Sequence, residues 1–330
     1  MAEWIYEEGI GEGRAALVHK GRIIEAQIER ESEGVRAGAI VAGRMVQQLI
    51  PKMRGIVKLD GGEDVLLEPI PPKVTEGGRL TVEILREAVP EPGRLKLAKA
   101  RGAKGNPKPQ PGKSLLQRIR TTGHNVLMAS PHDPEDRLEA AGWSELLEEA
   151  ESGEVAFDGG ALRIALTPAM TVIDIDGPLK PAELARRSAV AVAEAVQRLG
   201  LAGNIVVDFP TVEDKAVRAA IAETIDRIVP QPFERTAVNG FGLLQLVRKR
   251  ERASLAELFQ YTPLESAAMA LLRRAERAKG AGVATLTAHP SIIALLETRA
   301  DWGAKLARSL GREIRLASDP ALGIGGGYVD

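Results

Sequence analysis

Acidic side chains follow two apolar runs in the middle of the chain. Asp174 and Asp176 end the run TVIDID, and Asp208 ends the run GNIVVD. A helical pattern separates the runs, so we expect a β-α-β unit whose two parallel strands are neighbours. Both strands would then end at the carboxyl edge of one sheet, where open α/β sheets place their sites. This arrangement predicts that Asp174 and Asp208 lie close together.

Paired carboxylates of this kind favour a magnesium site. Mg²⁺ takes oxygen ligands and commonly binds through one or two carboxylates together with phosphate and water. Such an ion activates water and neutralises charge on a phosphodiester. The structural alternative is that both aspartates are strand-end residues that cap the following helices. Spacing alone leaves these two interpretations open.

A third interpretation is a phosphatase of the haloacid-dehalogenase type, because VIDIDG resembles the nucleophile signature of those enzymes. The threonine that follows the signature is replaced here by Pro178, and the later run IVVDFP supplies one aspartate where a pair is expected. These departures disfavour the phosphatase interpretation.

Composition sets broader bounds on the protein. The 330 residues are enough for two or three domains, and the net charge of −1 means that nucleic-acid affinity must come from local patches. Cysteine is absent, which excludes disulfides and thiolate metal sites and fits a reducing cytoplasm. The acidic N-terminus does not resemble a signal peptide, and no apolar segment approaches the roughly 20 residues of a membrane span.

Local patterns divide the chain into four predicted segments. Short strands before residue 99 include a hairpin that turns at residues 19–22, and together they suggest a small barrel. The basic, Pro- and Gly-rich stretch at residues 99–114 is a linker, either solvated or a phosphate-contacting arm. An α/β region then contains a helix from Pro181 to near Gly200 and a strand buried on both faces, GNIVVDF. After Leu264 the pattern is helix, strand, helix and strand.

The order of several sequence blocks resembles the ribonuclease E/G family. The blocks are GGALRIALTPAMTVIDIDG, RLGLAGNIVVDF and FGLLQLVRKR, with RAALVHKGRIIEAQIE and IRTTG before them and EIRLASDPALGIGGGYVD after them. The resemblance implies a multidomain α/β fold with an OB-type β-barrel inserted near the N-terminus, an α/β nuclease core and a small C-terminal α/β domain. The predicted domains are 1–98 (strands and RNA-binding barrel), 99–158 (linker and shortened 5′-sensor-like region), 159–262 (nuclease core) and 263–330.

The resemblance also assigns candidate residues. Asp174 and Asp208 fall on the family's two metal-binding aspartates, and Asp176 falls on an asparagine that supports one of them. Arg248 falls on an arginine near the metal site, and Arg120 with Thr121 falls on the contacts to an RNA 5′-phosphate. The remaining candidates for RNA binding are basic residues, namely Lys96, Lys99, Arg101, Lys104, Lys249 and Arg250.

The sequence departs from the family pattern at defined places. Pro168, Asp176 and Thr211 replace an acidic residue, an asparagine and a second acidic residue, respectively. The region between Gly123 and Gly159 is far shorter than in the family. The barrel lacks the aromatic residues on which bases stack, which predicts reduced affinity for single strands. Without cysteine, a zinc-linked tetramer is excluded, whereas a homodimer through the C-terminal segment stays open.

The resemblance implies an Mg²⁺-dependent endoribonuclease that cleaves single-stranded RNA and leaves 5′-phosphate and 3′-hydroxyl ends. Mn²⁺ would be an alternative cofactor, and zinc is not expected. Such an enzyme would act in cytoplasmic RNA processing, including that of rRNA, or in RNA decay. The alternative hypothesis is a catalytically weakened RNA-binding or scaffold protein of the same family.

Overall fold

The computed structural model describes residues 1–31, 34–105 and 107–330. The chain divides into two compact units, each made of segments that are separated in sequence. The first unit contains Met1–Glu31, Ile119–Ser152 and Leu258–Asp330. The second contains Ser32–Arg118 and Gly153–Glu257. Asn106, which falls in the predicted linker, lies outside the described residues.

The secondary structure begins with strands only. These are β1 (Glu3–Glu8), β2 (Glu12–His19), β3 (Arg22–Arg30), β4 (Ile40–Ile50), β5 (Arg54–Leu59), β6 (Asp64–Leu67), β7 (Arg79–Arg86), β8 (Val89–Glu91), β9 (Arg94–Lys96) and β10 (Ala98–Gly102). The part of the chain that follows contains both helices and strands. They are α1 (Leu115–Ile119), β11 (Asn125–Ala129), α2 (Arg137–Ala140), α3 (Trp143–Ser152), β12 (Glu154–Phe157), β13 (Gly160–Leu166), β14 (Thr171–Asp176), α4 (Pro181–Arg198), β15 (Gly203–Asp208), α5 (Lys215–Ile228), β16 (Phe233–Arg235) and β17 (Leu243–Arg248).

The C-terminal part is mainly helical and closes with short strands. Its elements are α6 (Leu255–Tyr261), α7 (Pro263–Glu276), β18 (Ala284–Ala288), α8 (Pro290–Glu297), α9 (Ala300–Leu310), β19 (Ile314–Ser318) and β20 (Tyr328–Val329). The sequence predicts one helix where α8 and α9 lie, and the chain breaks that helix at Thr298–Arg299. None of the helices in the described ranges has the length and apolarity needed to cross a membrane.

The first unit contains a four-stranded sheet in the order β11-β1-β2-β3. The predicted hairpin between β2 and β3 is confirmed, and its turn uses Lys20 and Gly21 at φ of 50° and 74°. Two consecutive positive φ angles are typical of the tight turns whose twist matches the flanking strands. The glycine accommodates this backbone because it carries no Cβ atom.

Buried charges join this sheet to α7. The Glu7 carboxylate is 1% exposed and accepts hydrogen bonds from Arg14 Nη1 at 3.0 Å and Arg273 Nε at 2.9 Å. On the same helix, the Glu276 carboxylate accepts the Ile10 N–H at 3.2 Å and is also buried. Buried ions are tolerated only when such partners replace the lost water, so these contacts constrain how α7 packs on the strands.

The second unit contains a closed barrel of five strands in the order β10-β6-β5-β4-β7. Its core is aliphatic and includes Met45, Val57, Val65 and Val82, all fully buried. The barrel predicted from the sequence is therefore confirmed. The structure corrects the start of the predicted linker, because residues 99–102 belong to β10, which pairs with β6 and β7 and completes the barrel.

The second unit also contains a six-stranded mixed sheet in the order β12-β13-β14-β15-β17-β16. One face of this sheet is apolar, with buried side chains such as Ile173, Val207 and Leu246, and α4 contacts it at β12 and β13. Along each strand, the residues between these buried ones point to the opposite face, and that face is largely exposed. The prediction that GNIVVDF is buried on both faces is therefore wrong, since Asn204 and Asp208 are exposed. This open face carries the candidate site.

The Glu276 carboxyl provides a test of the buried charges in the first unit. Burial raises its pKa from 4.5 to about 7, with a smaller contribution from Glu7, while Arg14 and the Ile10 N–H oppose the rise. The folded protein therefore binds this proton more tightly than the unfolded chain does. The stability that the proton confers is complete below pH 4.5 and is lost as the pH rises to about 7.

We expect Glu276→Gln to remove this pH dependence. Relative to wild type, the variant should gain stability between pH 5 and pH 8, by about 3 kcal/mol in total. Urea unfolding at several pH values measures the difference, and Glu297→Gln, at an exposed position of α8, is the control. Parallel pH profiles for Glu276→Gln and wild type would contradict the prediction.

Candidate functional site

The central pair of the site is Asp174 on β14 and Asp208 on β15. These strands are parallel, and Asp174 is the register partner of Asp208 at the last position of their pairing. Register partners project from the same face, and adjacent strands lie about 4.8 Å apart. Both carboxylates are exposed on the open face of the sheet. The predicted proximity of the two aspartates is therefore present in the backbone register.

Glycines shape the end of β14 next to this pair. A Cβ atom on Gly160 would clash with the carbonyl oxygen of Asp176, and one on Gly177 would clash with the carbonyl oxygen of Gly159. The β12–β13 turn thus packs directly against the backbone that leaves β14. Only glycine permits this approach, which explains the Gly-Gly pair at the start of the block and the glycine after Asp176.

Arg163 is a candidate that sequence reasoning missed. β14 lies between β13 and β15, and Arg163 on β13 is the register partner of Asp174. Both side chains therefore lie on the open face. Its guanidinium forms an ion pair with Asp176 at 3.3 Å and a longer one with Glu154 at 3.8 Å. The sequence does contain a signal for it. In Leu162-Arg163-Ile164, apolar and polar residues alternate as in a strand with one buried face, and Arg163 lies between two buried residues.

Asp176 follows Asp174 by two residues and lies on the same face, beyond the last paired position of β15. Its partner Arg163 offsets the negative charge that an aspartate adds at this position. The ion pair is exposed, with side-chain exposures of 57% and 62%, so it confers little stability and leaves Asp176 accessible. Its effect on the site is mainly electrostatic.

The donor set fits a hard divalent cation. Asp174 and Asp208 offer charged oxygens from adjacent strands, which suits Mg²⁺ with several retained waters. Across the part of the chain that the structure describes, no group of three or more acidic or histidine side chains gathers at one point. A cation at this site would therefore take its protein ligands from the two aspartates.

The structure corrects the expected position of Arg248. β17 runs antiparallel to β15, so Arg248 pairs with Gly203 while Leu243 pairs with Asp208. Arg248 thus lies at the opposite end of the strand from the aspartate. Its Nη1 donates to the carbonyl oxygens of Val196 at 3.2 Å and Leu201 at 2.8 Å. These bonds fix the end of α4 and the turn that leads into β15.

Most of the predicted RNA-binding cations are engaged in ion pairs within the second unit. Their partners are Glu91 for Lys96, Glu68 for Lys99, Glu83 for Arg101, Glu251 for Lys249 and Glu257 for Arg250. Hydrogen bonds from Lys99 and Arg54 hold the pKa of Glu68 below its usual value. These carboxylates reduce the positive field that the barrel presents to a phosphate backbone. Lys104 is exposed beyond the end of β10.

Arg120 and Thr121 belong to the first unit, in the turn that follows α1, and both are exposed. The next residue, Thr122, has a clear structural role. Its hydroxyl accepts the indole N–H of Trp4 at 2.9 Å and donates to the Ile119 carbonyl at 2.7 Å. The IRTTG motif is thus anchored through Thr122, which leaves the two preceding side chains at the surface.

Comparison with known proteins finds a family similarity in the segment that carries the candidate site. Residues 113–251 match the model of the Ribonuclease E/G family. This segment, which is less than half of the chain, contains Asp174, Asp208 and the whole mixed sheet, and it is similar to the ribonuclease E/G family. A comparison with curated proteins finds no match. The matched family is one of ribonucleases, and this similarity supports the function proposed below.

The corrected position of Arg248 leads to a prediction about stability. Arg248→Ala should lower the free energy of unfolding by about 1–3 kcal/mol, because the carbonyls of Val196 and Leu201 lose a charged donor. Arg163→Ala, at an exposed position on the same sheet, should change it by less than about 0.5 kcal/mol. Chemical denaturation of the two variants measures both values. Equal losses would contradict the structural role of Arg248.

Proposed function

We propose that this protein is an Mg²⁺-dependent endoribonuclease that cleaves single-stranded RNA on the open face of the mixed sheet. The observation that carries the proposal is the register pairing of Asp174 with Asp208 on that face, within the segment that matches the ribonuclease family. The pairing supplies two carboxylates to one cation. The open face supplies room for an extended strand of RNA.

Each residue of the site has a defined part in this proposal. Asp174 and Asp208 hold the cation, which supplies an activated water and neutralises charge on the scissile phosphodiester. Arg163 balances Asp176 and presents a guanidinium beside Asp174, where it can donate to a phosphate oxygen. Water attacks the phosphorus while the bond from phosphorus to the 3′-oxygen breaks, and the departing 3′-oxygen takes up a proton, which leaves a 5′-phosphate and a 3′-hydroxyl.

The barrel is proposed to be an OB-type domain that binds RNA weakly. It contains no aromatic residue, so stacking contributes nothing there, and several of its cations, including Arg79, Lys99 and Arg101, are in ion pairs. Arg120 and Thr121 are proposed to contact the 5′-phosphate of the substrate. A comparison of substrates with a 5′-monophosphate and a 5′-hydroxyl tests that contact independently of the metal site.

The second candidate is a catalytically weakened RNA-binding or scaffold protein. The observation that favours it is the small donor set, since two aspartates alone serve the cation and the charge of Asp176 is offset by Arg163. The observation against it is the pairing of the barrel cations, because a scaffold depends on RNA affinity. Metal-dependent cleavage separates the two candidates.

Replacement of either paired aspartate should abolish cleavage while the fold is retained. Asp208→Asn and Asp174→Asn keep the side-chain volume and remove a charged ligand. We expect the rate to fall by more than roughly 100-fold, since even the loss of outer-shell partners costs 10–100-fold. The assay follows a labelled, AU-rich single-stranded RNA with Mg²⁺, with Mn²⁺ and with EDTA.

Glu154→Gln is the matched control for these variants. Glu154 is an exposed carboxylate in the same lateral row of the sheet, one strand beyond Arg163. It should retain cleavage close to that of wild type. Undiminished cleavage by a well-folded Asp208→Asn protein would overturn the proposal, and so would cleavage that persists in EDTA.

Arg163 should weaken metal binding through its charge. Arg163→Gln is expected to tighten Mn²⁺ binding about two- to fivefold, because a cation beside Asp174 repels the metal across partly screened solvent. Titration calorimetry or the EPR signal of free Mn²⁺ measures the affinity without any need for turnover. Arg79→Gln, at a similarly exposed arginine of the barrel, should leave the affinity unchanged. A looser site in Arg163→Gln would contradict this account.

A further inference from the structure

Phe241 is an exposed aromatic side chain beside the proposed site. It is 80% exposed, whereas Phe209, directly after Asp208, is 2% exposed. The second unit contains four aromatic residues in its described part, and the other two, Phe157 and Phe233, are partly buried. Of these four rings, Phe241 alone lies mostly in water, where its faces are available to stack on a base.

The loop that carries Phe241 is well ordered by its own hydrogen bonds. The Asn239 side-chain oxygen accepts the backbone N–H groups of Phe241 at 2.9 Å and Leu243 at 3.1 Å. Gly242 has a φ of 96°, and a Cβ atom there would clash with the carbonyl oxygen of Phe209. The aromatic ring is thus presented on a fixed backbone, which lowers the entropic cost of binding.

Two further contacts tie this loop to the strand that carries Asp208. The Phe209 N–H donates to the Gly242 carbonyl at 3.2 Å, and the Thr211 hydroxyl contacts the Phe241 carbonyl at 3.4 Å. Leu243, two residues after Phe241, is the register partner of Asp208. Phe241 therefore lies at the same edge of the sheet as Asp208, one strand away from it.

We propose that Phe241 is the platform on which an RNA base stacks next to the phosphodiester held at Asp174 and Asp208. The inference rests on the proposed function and adds a substrate-positioning residue to it. Base-aromatic stacking tolerates every base, because each has a π-face. Phe241 thereby supplies at the site the stacking that the barrel, which has no aromatic residue, cannot supply.

Binding of a short oligoribonucleotide in the Asp208→Asn background tests the platform without cleavage. Phe241→Ala should raise the Kd about tenfold, and Phe241→Tyr should restore it because the ring is kept. Val247→Ala is the matched control, since Val247 is an exposed apolar residue at the far end of the same strand, opposite Asn204. It should leave the Kd unchanged.

A scan with single abasic nucleotides locates the stacked base. At one position the abasic RNA should bind the Asp208→Asn protein and its Phe241→Ala derivative equally, because the interaction is already absent. Equal Kd values for Phe241→Ala and its parent on intact RNA would overturn the platform. Metal-dependent cleavage by the protein with Asp208 intact is measured alongside. If that cleavage is present while Phe241→Ala binds normally, the platform alone fails; if it is absent, the proposed function fails.

Discussion

The parallel pairing of β14 with β15 is the constraint on which the proposed chemistry depends. It sets Asp174 opposite Asp208 at the final position of the pairing, on the face that α4 does not cover. A shift of one residue in either strand would turn one carboxylate into the apolar core. The buried Ile173 and Val207 prevent that shift, because each precedes its aspartate and packs on the other face. The core of the sheet therefore holds the register of the site.

The charges around this pair are balanced locally. Asp176 adds a carboxylate near Asp174, and Arg163 from the neighbouring strand offsets it. On the other side, the loop before β17 brings Phe241 to the same edge through its bond with Phe209. This edge of the sheet thus combines two carboxylates, a guanidinium and an exposed ring, which are the chemical groups that the proposed binding of an RNA phosphodiester and its adjoining base uses. A barrel with paired cations is consistent with an enzyme that relies on the site itself for much of its affinity.

Sequence reasoning predicted the parts of this arrangement that local pattern determines. The β2–β3 hairpin, the barrel and the helix that begins at Pro181 follow from turn residues, strand spacing and helical periodicity. The proximity of Asp174 and Asp208 follows from the geometry of a β-α-β unit. The position of Arg248 could not be predicted, because the order of motifs along the sequence does not show that β17 runs antiparallel to β15. Likewise, the partners of Lys96 and Lys99 depend on strand pairing, which a linear pattern of charge does not contain.

The most direct test of the central claim is to locate the metal itself. Crystals of the protein grown with Mn²⁺ give an anomalous signal that marks each bound ion independently of activity. The account predicts one strong anomalous peak in contact with both the Asp174 and the Asp208 carboxylates, and no peak there in Asp208→Asn crystals. A peak at other residues, or two aspartates free of metal at a Mn²⁺ concentration that supports RNA cleavage, would contradict it.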